Sequence, residues 1–75
     1  MKLWRIWQNE VRGYDTYDSA IVAAETEDAA RETRPGEYTT SNTWPTQTHY
    51  VYVEYLGEAK PEIEAGVILA SFNAG

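Results

Sequence analysis

The sequence predicts an α+β fold: a four-stranded, mostly antiparallel sheet with one short helix on one face, in the order β-β-α-β-β. Three observations carry this. Four short runs, "KLWRIWQ", "SAIVAAE", "HYVYVEYL" and "VILASF", are rich in branched and aromatic residues and have the length of strands. Only "TEDAARETRPG" holds both start and stop signals of a helix. At 75 residues the chain makes one domain, residues 1–75, of a size that buries only roughly 60% of its unfolded surface.

The first strand, Lys2 to Gln8, carries apolar bulk on both faces, with Trp4 and Ile6 pointing one way and Leu3 and Trp7 the other. Residues Asn9 to Asp18 contain Gly, Asn and Asp and read as a long hairpin connection. Ser19 to Glu25 shows no polar alternation, the pattern of a strand covered on both faces, which predicts a central position. In the helix, Thr26 is the expected N-cap, Glu27 and Asp28 suit the positive end of the dipole, Arg31 and Arg34 suit the negative end, and Pro35-Gly36 is the expected stop. Ala29, Ala30 and Thr33 form its narrow buried stripe. Glu37 to Thr48 is polar and irregular, with Pro45 fixing the chain after Trp44. His49 to Leu56 alternates as a strand, with Val51, Val53 and Tyr55 on one face and Tyr50, Tyr52, Glu54 and Leu56 on the other. "GEAKPEIEAG" then leads to the last strand, Val67 to Phe72.

Composition narrows the function. There is no cysteine, so disulfides, thiolate metal sites and thiol nucleophiles are excluded, and a reducing, cytoplasmic setting fits. Twelve acids against six bases give a net charge of -6, which argues against direct nucleic-acid binding through phosphates and suits a protein partner with a basic surface. No apolar run approaches the roughly 20 residues of a membrane span. "MKLWRIWQ" lacks the long apolar core and small-residue cleavage site of a signal peptide. The expectation is a soluble, cytoplasmic protein without membrane attachment.

The stretches "KLWRIWQ", "GYDTYDSAIVAAETEDAAR", "YLGEA" and "GVILASFNAG" together resemble a group of small proteins encoded by phages and prophages. The resemblance covers most of the chain except the region from Glu37 to His49. It implies an accessory phage protein that acts in the host bacterial cytoplasm, and it transfers no functional residues. Genes in that setting often encode inhibitors of host defence or of host enzymes.

Candidate sites follow from residue types. Tyr14-Asp15 and Tyr17-Asp18 repeat an aromatic-acid pair beside the apolar run. Asp15 and Asp18, with Glu10, lack the spacing a hard divalent cation needs, so no metal is expected, and the acids read as the polar lip of a turn. The tyrosines offer contact area at low entropic cost. Tyr14, Asp15, Tyr17, Asp18 and Trp44 are therefore the candidate partner-binding residues. His49 is the one histidine, and Ser19, Ser41 and Ser71 stand in no nucleophile motif, so no catalytic residue, enzyme activity or cofactor is expected. Arg31 and Arg34 are read as structural, with Arg31 pairing to Glu27 one turn back. The acids Glu25, Glu27, Asp28, Glu32, Glu54, Glu58, Glu62 and Glu64 admit two readings: a solvated face, or a phosphate-like surface offered to a nucleic-acid-binding protein.

Three tryptophans, six tyrosines and one phenylalanine exceed what one small helix can shelter. Trp4 and Trp7, on opposite faces of the first strand, are the candidate oligomer interface, and a homo-oligomer, at least a dimer, is expected through the sheet. The alternative cover for the bare face is the Glu37 to Thr48 loop, led by Trp44. The leading functional expectation is a non-enzymatic phage-type protein that binds and inhibits a host protein, with anti-CRISPR activity as one concrete form. The others are an oligomeric binder of a signalling nucleotide, its junctions lined by Tyr14, Tyr17 and arginines, and a structural or assembly component of the phage particle.

Overall fold

The expected order of four strands and one helix is what the chain adopts. The computed structural model describes residues 1–13, 15–36 and 43–73. Within them β1 spans Lys2–Trp7, β2 Thr16–Ala24, α1 Glu27–Glu32, β3 Tyr52–Glu58 and β4 Gly66–Asn73, with a 3-10 turn at Thr48–Tyr50 before β3. The strands line up as β3-β1-β2-β4, and every pairing is antiparallel. β1 and β2 are therefore central, β3 and β4 are the edges, and β2 and β3 run the same way on either side of β1.

The register explains how a short helix suffices. Trp4 stands opposite Val22 and Tyr55, and Ile6 opposite Ala20 and Val53, so one face of the sheet alternates large side chains on β1 with small ones on β2. Ala20 and Ala24 leave a depression over which α1 approaches closely through Ala30. The helix packs on β1, β2 and β3. Trp4, Ile6, Ala20, Val22, Ala24, Ala30, Trp44 and Val51 form the buried core on this side. The Trp4 indole Nε1 donates to the Ala24 carbonyl at 3.0 Å, which satisfies its polar end without exposing the ring.

Helix capping runs as the sequence predicts at one end and stops short at the other. The Thr26 Oγ1 accepts from the Ala29 amide at 3.1 Å, with Glu27 and Asp28 in the first turn and Arg31 in the last. The helix ends at Glu32, not at Pro35-Gly36. Thr33 is already extended, with φ -72° and ψ 130°, while its amide reaches the Ala30 carbonyl and its hydroxyl donates to the Ala29 carbonyl. Pro35 disfavours helical dihedrals at Arg34, so the turn cannot propagate and Thr33 closes it. Only Ala30 of the predicted stripe is buried; Ala29 is exposed.

Two strand boundaries also move. β2 begins at Thr16, so Tyr17 and Asp18 belong to the sheet and not to the hairpin connection. β3 begins at Tyr52 because Thr48–Tyr50 turns and Val51 points into the core; His49 therefore lies on an exposed turn and not at the start of a strand. β2 is central as expected; Ala20, Val22 and Ala24 are buried on the helix side, while on the other face Ala23 is buried and Ser19 and Ile21 are half-buried. From the end of β3 the chain crosses the whole end of the sheet to reach β4 on the far side, and on the way the Ala59 amide bonds the Met1 carbonyl at 2.9 Å.

Candidate functional site

Antiparallel partners share a face, so the register also defines the side that α1 leaves bare. Three rows cross it: Tyr52, Trp7, Ser19 and Ser71; Glu54, Arg5, Ile21 and Leu69; and Gly57, Leu3, Ala23 and Gly66. Trp7 stacks on Tyr52 with ring centroids 5.5 Å apart and planes 21° apart. The Arg5 guanidinium lies over Trp7, its central carbon 4.3 Å from the ring centroid. The result is a layered Arg5–Trp7–Tyr52 cluster beside the aliphatic Leu3, Ile21 and Leu69. Trp7 and Arg5 are half-buried; Tyr52 and Leu69 are exposed, Leu69 at 68%.

The predicted partner-binding residues do not converge. Asp15 is exposed in the loop at a positive φ of 60°, a left-handed conformation that Asp tolerates better than most residues. Asp18 is the extra residue where β2 bulges between Tyr17 and Ser19 against β4, and it is exposed. Tyr17 is half-buried support: its ring packs on Phe72 at 4.8 Å, and a Cβ added at Gly36 would stand 2.6 Å from its hydroxyl oxygen. Tyr14 lies outside the described residues.

Trp44 corrects a larger expectation. It is 1% exposed and sits in the core cluster, so it is unavailable to a partner. Trp44 packs on the helix side of the sheet, and among the described residues no element covers the opposite face. Trp4, at 7% exposure in the same cluster, leaves the candidate oligomer interface for the same reason; Trp7 alone of the pair faces outward.

The loop between β1 and β2 is held by Gln8, whose buried amide was not anticipated. Its Nε2 donates to the Val11 carbonyl at 2.7 Å and the Tyr17 carbonyl at 2.9 Å, and its Oε1 accepts from the Val11 amide at 2.7 Å. Thr16, also buried, donates its hydroxyl to the Gly13 carbonyl at 2.8 Å.

The arginines serve structure, as expected. Arg31 pairs with Glu27 at 3.0 Å and donates to the Val51 carbonyl, and Arg34 reaches the Pro45 carbonyl at 3.4 Å. Together they tie α1 to the segment that delivers Trp44. A cleft of about 220 Å³ remains there, lined by Arg31, Arg34, Trp44 and Thr46 among others. Among the described residues no group of three or more His, Asp or Glu side chains is placed to hold a metal ion, and no helix is long and apolar enough to cross a membrane. The His49 ring lies against its neighbour Tyr50 in a tilted contact, with centroids 4.1 Å apart and planes 40° apart. The Tyr55 phenol donates to the Glu58 carboxylate at 3.1 Å, and that bond holds its pKa above the ordinary tyrosine value.

The acids do not gather on the bare face either. Glu27, Asp28 and Glu32 are on α1, Glu58 ends β3, and Glu62 and Glu64 lie in the crossing between β3 and β4. Of Glu54 and Glu58, the acids of β3, only Glu54 is on that face, opposite Arg5. No family model, curated protein or solved structure matches this chain. The site therefore stands on its own geometry. Arg5, Tyr52 and Leu69 were the residues missed, although the i, i+2 spacing of Arg5 with Trp7 and of Tyr52 with Glu54 already placed each pair on a common strand face.

Proposed function

We propose that this chain is a non-enzymatic binding protein that docks a protein partner on the bare sheet face around Trp7. The observation that carries the reading is the Arg5–Trp7–Tyr52 cluster, presented on a face that no described element covers. Tryptophan, tyrosine and arginine are the residues most enriched among interface hot spots: the aromatics bury large areas with few torsions to freeze, and the planar guanidinium both stacks and donates several hydrogen bonds. With the resemblance to phage-encoded proteins, the partner is a host protein met in the bacterial cytoplasm, and binding inhibits it; an anti-CRISPR inhibitor is one concrete form. A face whose charges are Arg5 and Glu54 favours aromatic contact over acidic mimicry, so affinity should change little between low and physiological salt, where screening acts over roughly 8–10 Å.

The test is capture from a host-cell lysate with the purified protein. Wild type is expected to retain one dominant partner, and Trp7→Ala to weaken that association by roughly 30-fold or more, the effect of losing a hot spot worth about 2 kcal/mol. His49→Ala, on the exposed turn, is expected to bind as wild type does. Loss with His49→Ala and retention with Trp7→Ala would overturn the assignment. A second reading, a small-molecule binder, is favoured by the cleft beside Arg31 and Arg34; it requires a heat-stable ligand to be released when the purified protein is denatured.

A further inference from the structure

The two edges of the sheet are not alike. β3, "YVEYLGE", carries Glu54 and Glu58, and Gly57 at φ 146° beside a register shift against β1. Inserted charges and bulges are the devices by which sheets prevent their edges from pairing with other chains. β4, "GVILASFN", has neither a charged residue nor a proline in a chain with twelve acids and six bases. Like β3 it has a positive-φ glycine, Gly66 at φ 139°, and an extra residue, Ile68, both near its start, so the difference between the two edges is one of charge.

The exposed side chains of β4 also lie on both faces. Leu69 pairs with Ile21 and faces the bare side, whereas Val67 pairs with Val22 and Phe72 with Tyr17, on the helix side. All three are at least 40% exposed, as is Ile68. A flat partner on the bare face would cover Leu69 and leave Val67 and Phe72 in water. A strand laid beside β4 brings neighbours to both faces at once, some 4.8 Å away.

From this asymmetry we propose that β4 pairs antiparallel with β4 of a second copy, about a twofold axis within the Leu69–Ser71 segment, to make one continuous eight-stranded sheet. A second copy is the occupant because its own β4 offers the same uncharged edge, and charge selects β4 over β3 as the place where two copies can meet. Two copies that each carry -6 repel, and self-pairing at the β3 edge would set Glu54 and Glu58 against their own symmetry mates. At β4 the contacting strands are uncharged, so the acids stay apart while backbone hydrogen bonds and apolar contacts form. Because the axis is twofold, the contact closes at two subunits. The pairing leaves the Trp7 cluster of both copies free on one extended face.

Sedimentation equilibrium of the purified protein at micromolar concentration tests the proposal. The expected mass is twice the 8.5 kDa of the chain. Leu69→Lys places two cations against each other near the axis and is expected to raise the dimer dissociation constant at least about tenfold, since like charges across strands destabilise. Trp7→Glu, on β1 and away from the edge, is expected to remain dimeric. Amide exchange adds an edge-specific signature: β4 amides that do not bond β2 become protected in the dimer and lose that protection in Leu69→Lys. If Leu69→Lys fails to give a native circular dichroism spectrum, Ser71→Lys on the same exposed strand takes its place. An 8.5 kDa wild-type species, or a Trp7→Glu variant that becomes monomeric while β4 exchange is unchanged, overturns edge pairing; the second outcome points to face-to-face association. Neither result depends on capture of a host partner.

Discussion

Trp44→Ala is expected to cost about 3–5 kcal/mol, the range for deleting a fully buried aromatic side chain. A chain of 75 residues has roughly 4–11 kcal/mol of stability in total, so this one change removes about a quarter of it or more. The reason is geometric. α1 has only six residues and buries only Ala30 of its own, too little to shelter Trp4, Ile6 and Val22 from water. Trp44 supplies the remaining cover, with Val51 beside it in the core cluster. In urea, with a slope of roughly 1.5 kcal/mol per molar, the midpoint should fall by about 2–3 M. Trp7→Ala, which removes an indole of the same size from the half-buried outer face, should cost about 1 kcal/mol. Equal midpoints for the two variants would mean that Trp44 does not close the core.

The second large effect is expected from Gln8→Ala, at about 2–3 kcal/mol. Three hydrogen bonds go with the amide, and the Val11 and Tyr17 groups lose partners in a site from which Gln8 itself is 6% exposed; unsatisfied buried groups cost more than the bonds contributed. Amide exchange at Val11 should accelerate with the loss of stability. Gln8→Glu separates hydrogen bonding from bulk. An ionised carboxylate would face the Val11 and Tyr17 carbonyls with no proton to donate, which raises its folded-state pKa above the unfolded value. The variant is then more stable, relative to wild type, at pH 4 than at pH 7, because the protonated form donates again and the penalty appears as pH rises through the unfolded pKa. A variant indifferent to pH would show that Gln8 acts by filling space.

These two residues mark the division between what sequence and structure disclose. Thr26, Glu27 and Asp28 announced the helix start because capping is settled within a few residues, and the strands were visible because their pattern is as local as the pleat. The fate of Trp44 was not visible, since an irregular polar segment has no periodicity to reveal which side of the sheet it will cross. Gln8 reads as the last residue of an amphipathic strand until Val11 and Tyr17 are seen to converge on it. The Trp7–Tyr52 stack depended on β3 lying beside β1 across most of the chain, which no pattern within either strand determines. Asp18 became the extra residue of a bulge, and bulges leave little trace in composition.

The passage of the chain from β3, across the end of the sheet, to β4 has a kinetic consequence. The β1–β2 hairpin closes over the short loop of residues 8–15, so it forms at small entropic cost. Each edge strand must instead find a partner far back in the chain: β3 returns to β1, and β4 returns to β2. Such long-range closures carry a larger entropic cost before any contact rewards them, and place folding toward the millisecond-to-second regime of topologically non-local domains. Once β3 has docked, however, the crossing from residues 59–65 is anchored at the Met1 carbonyl and tethers β4 near the open side of β2. The two borders of the sheet then assemble in sequence, the first acting as the lead-in for the second, and the uncharged strand is the last to leave the unfolded ensemble.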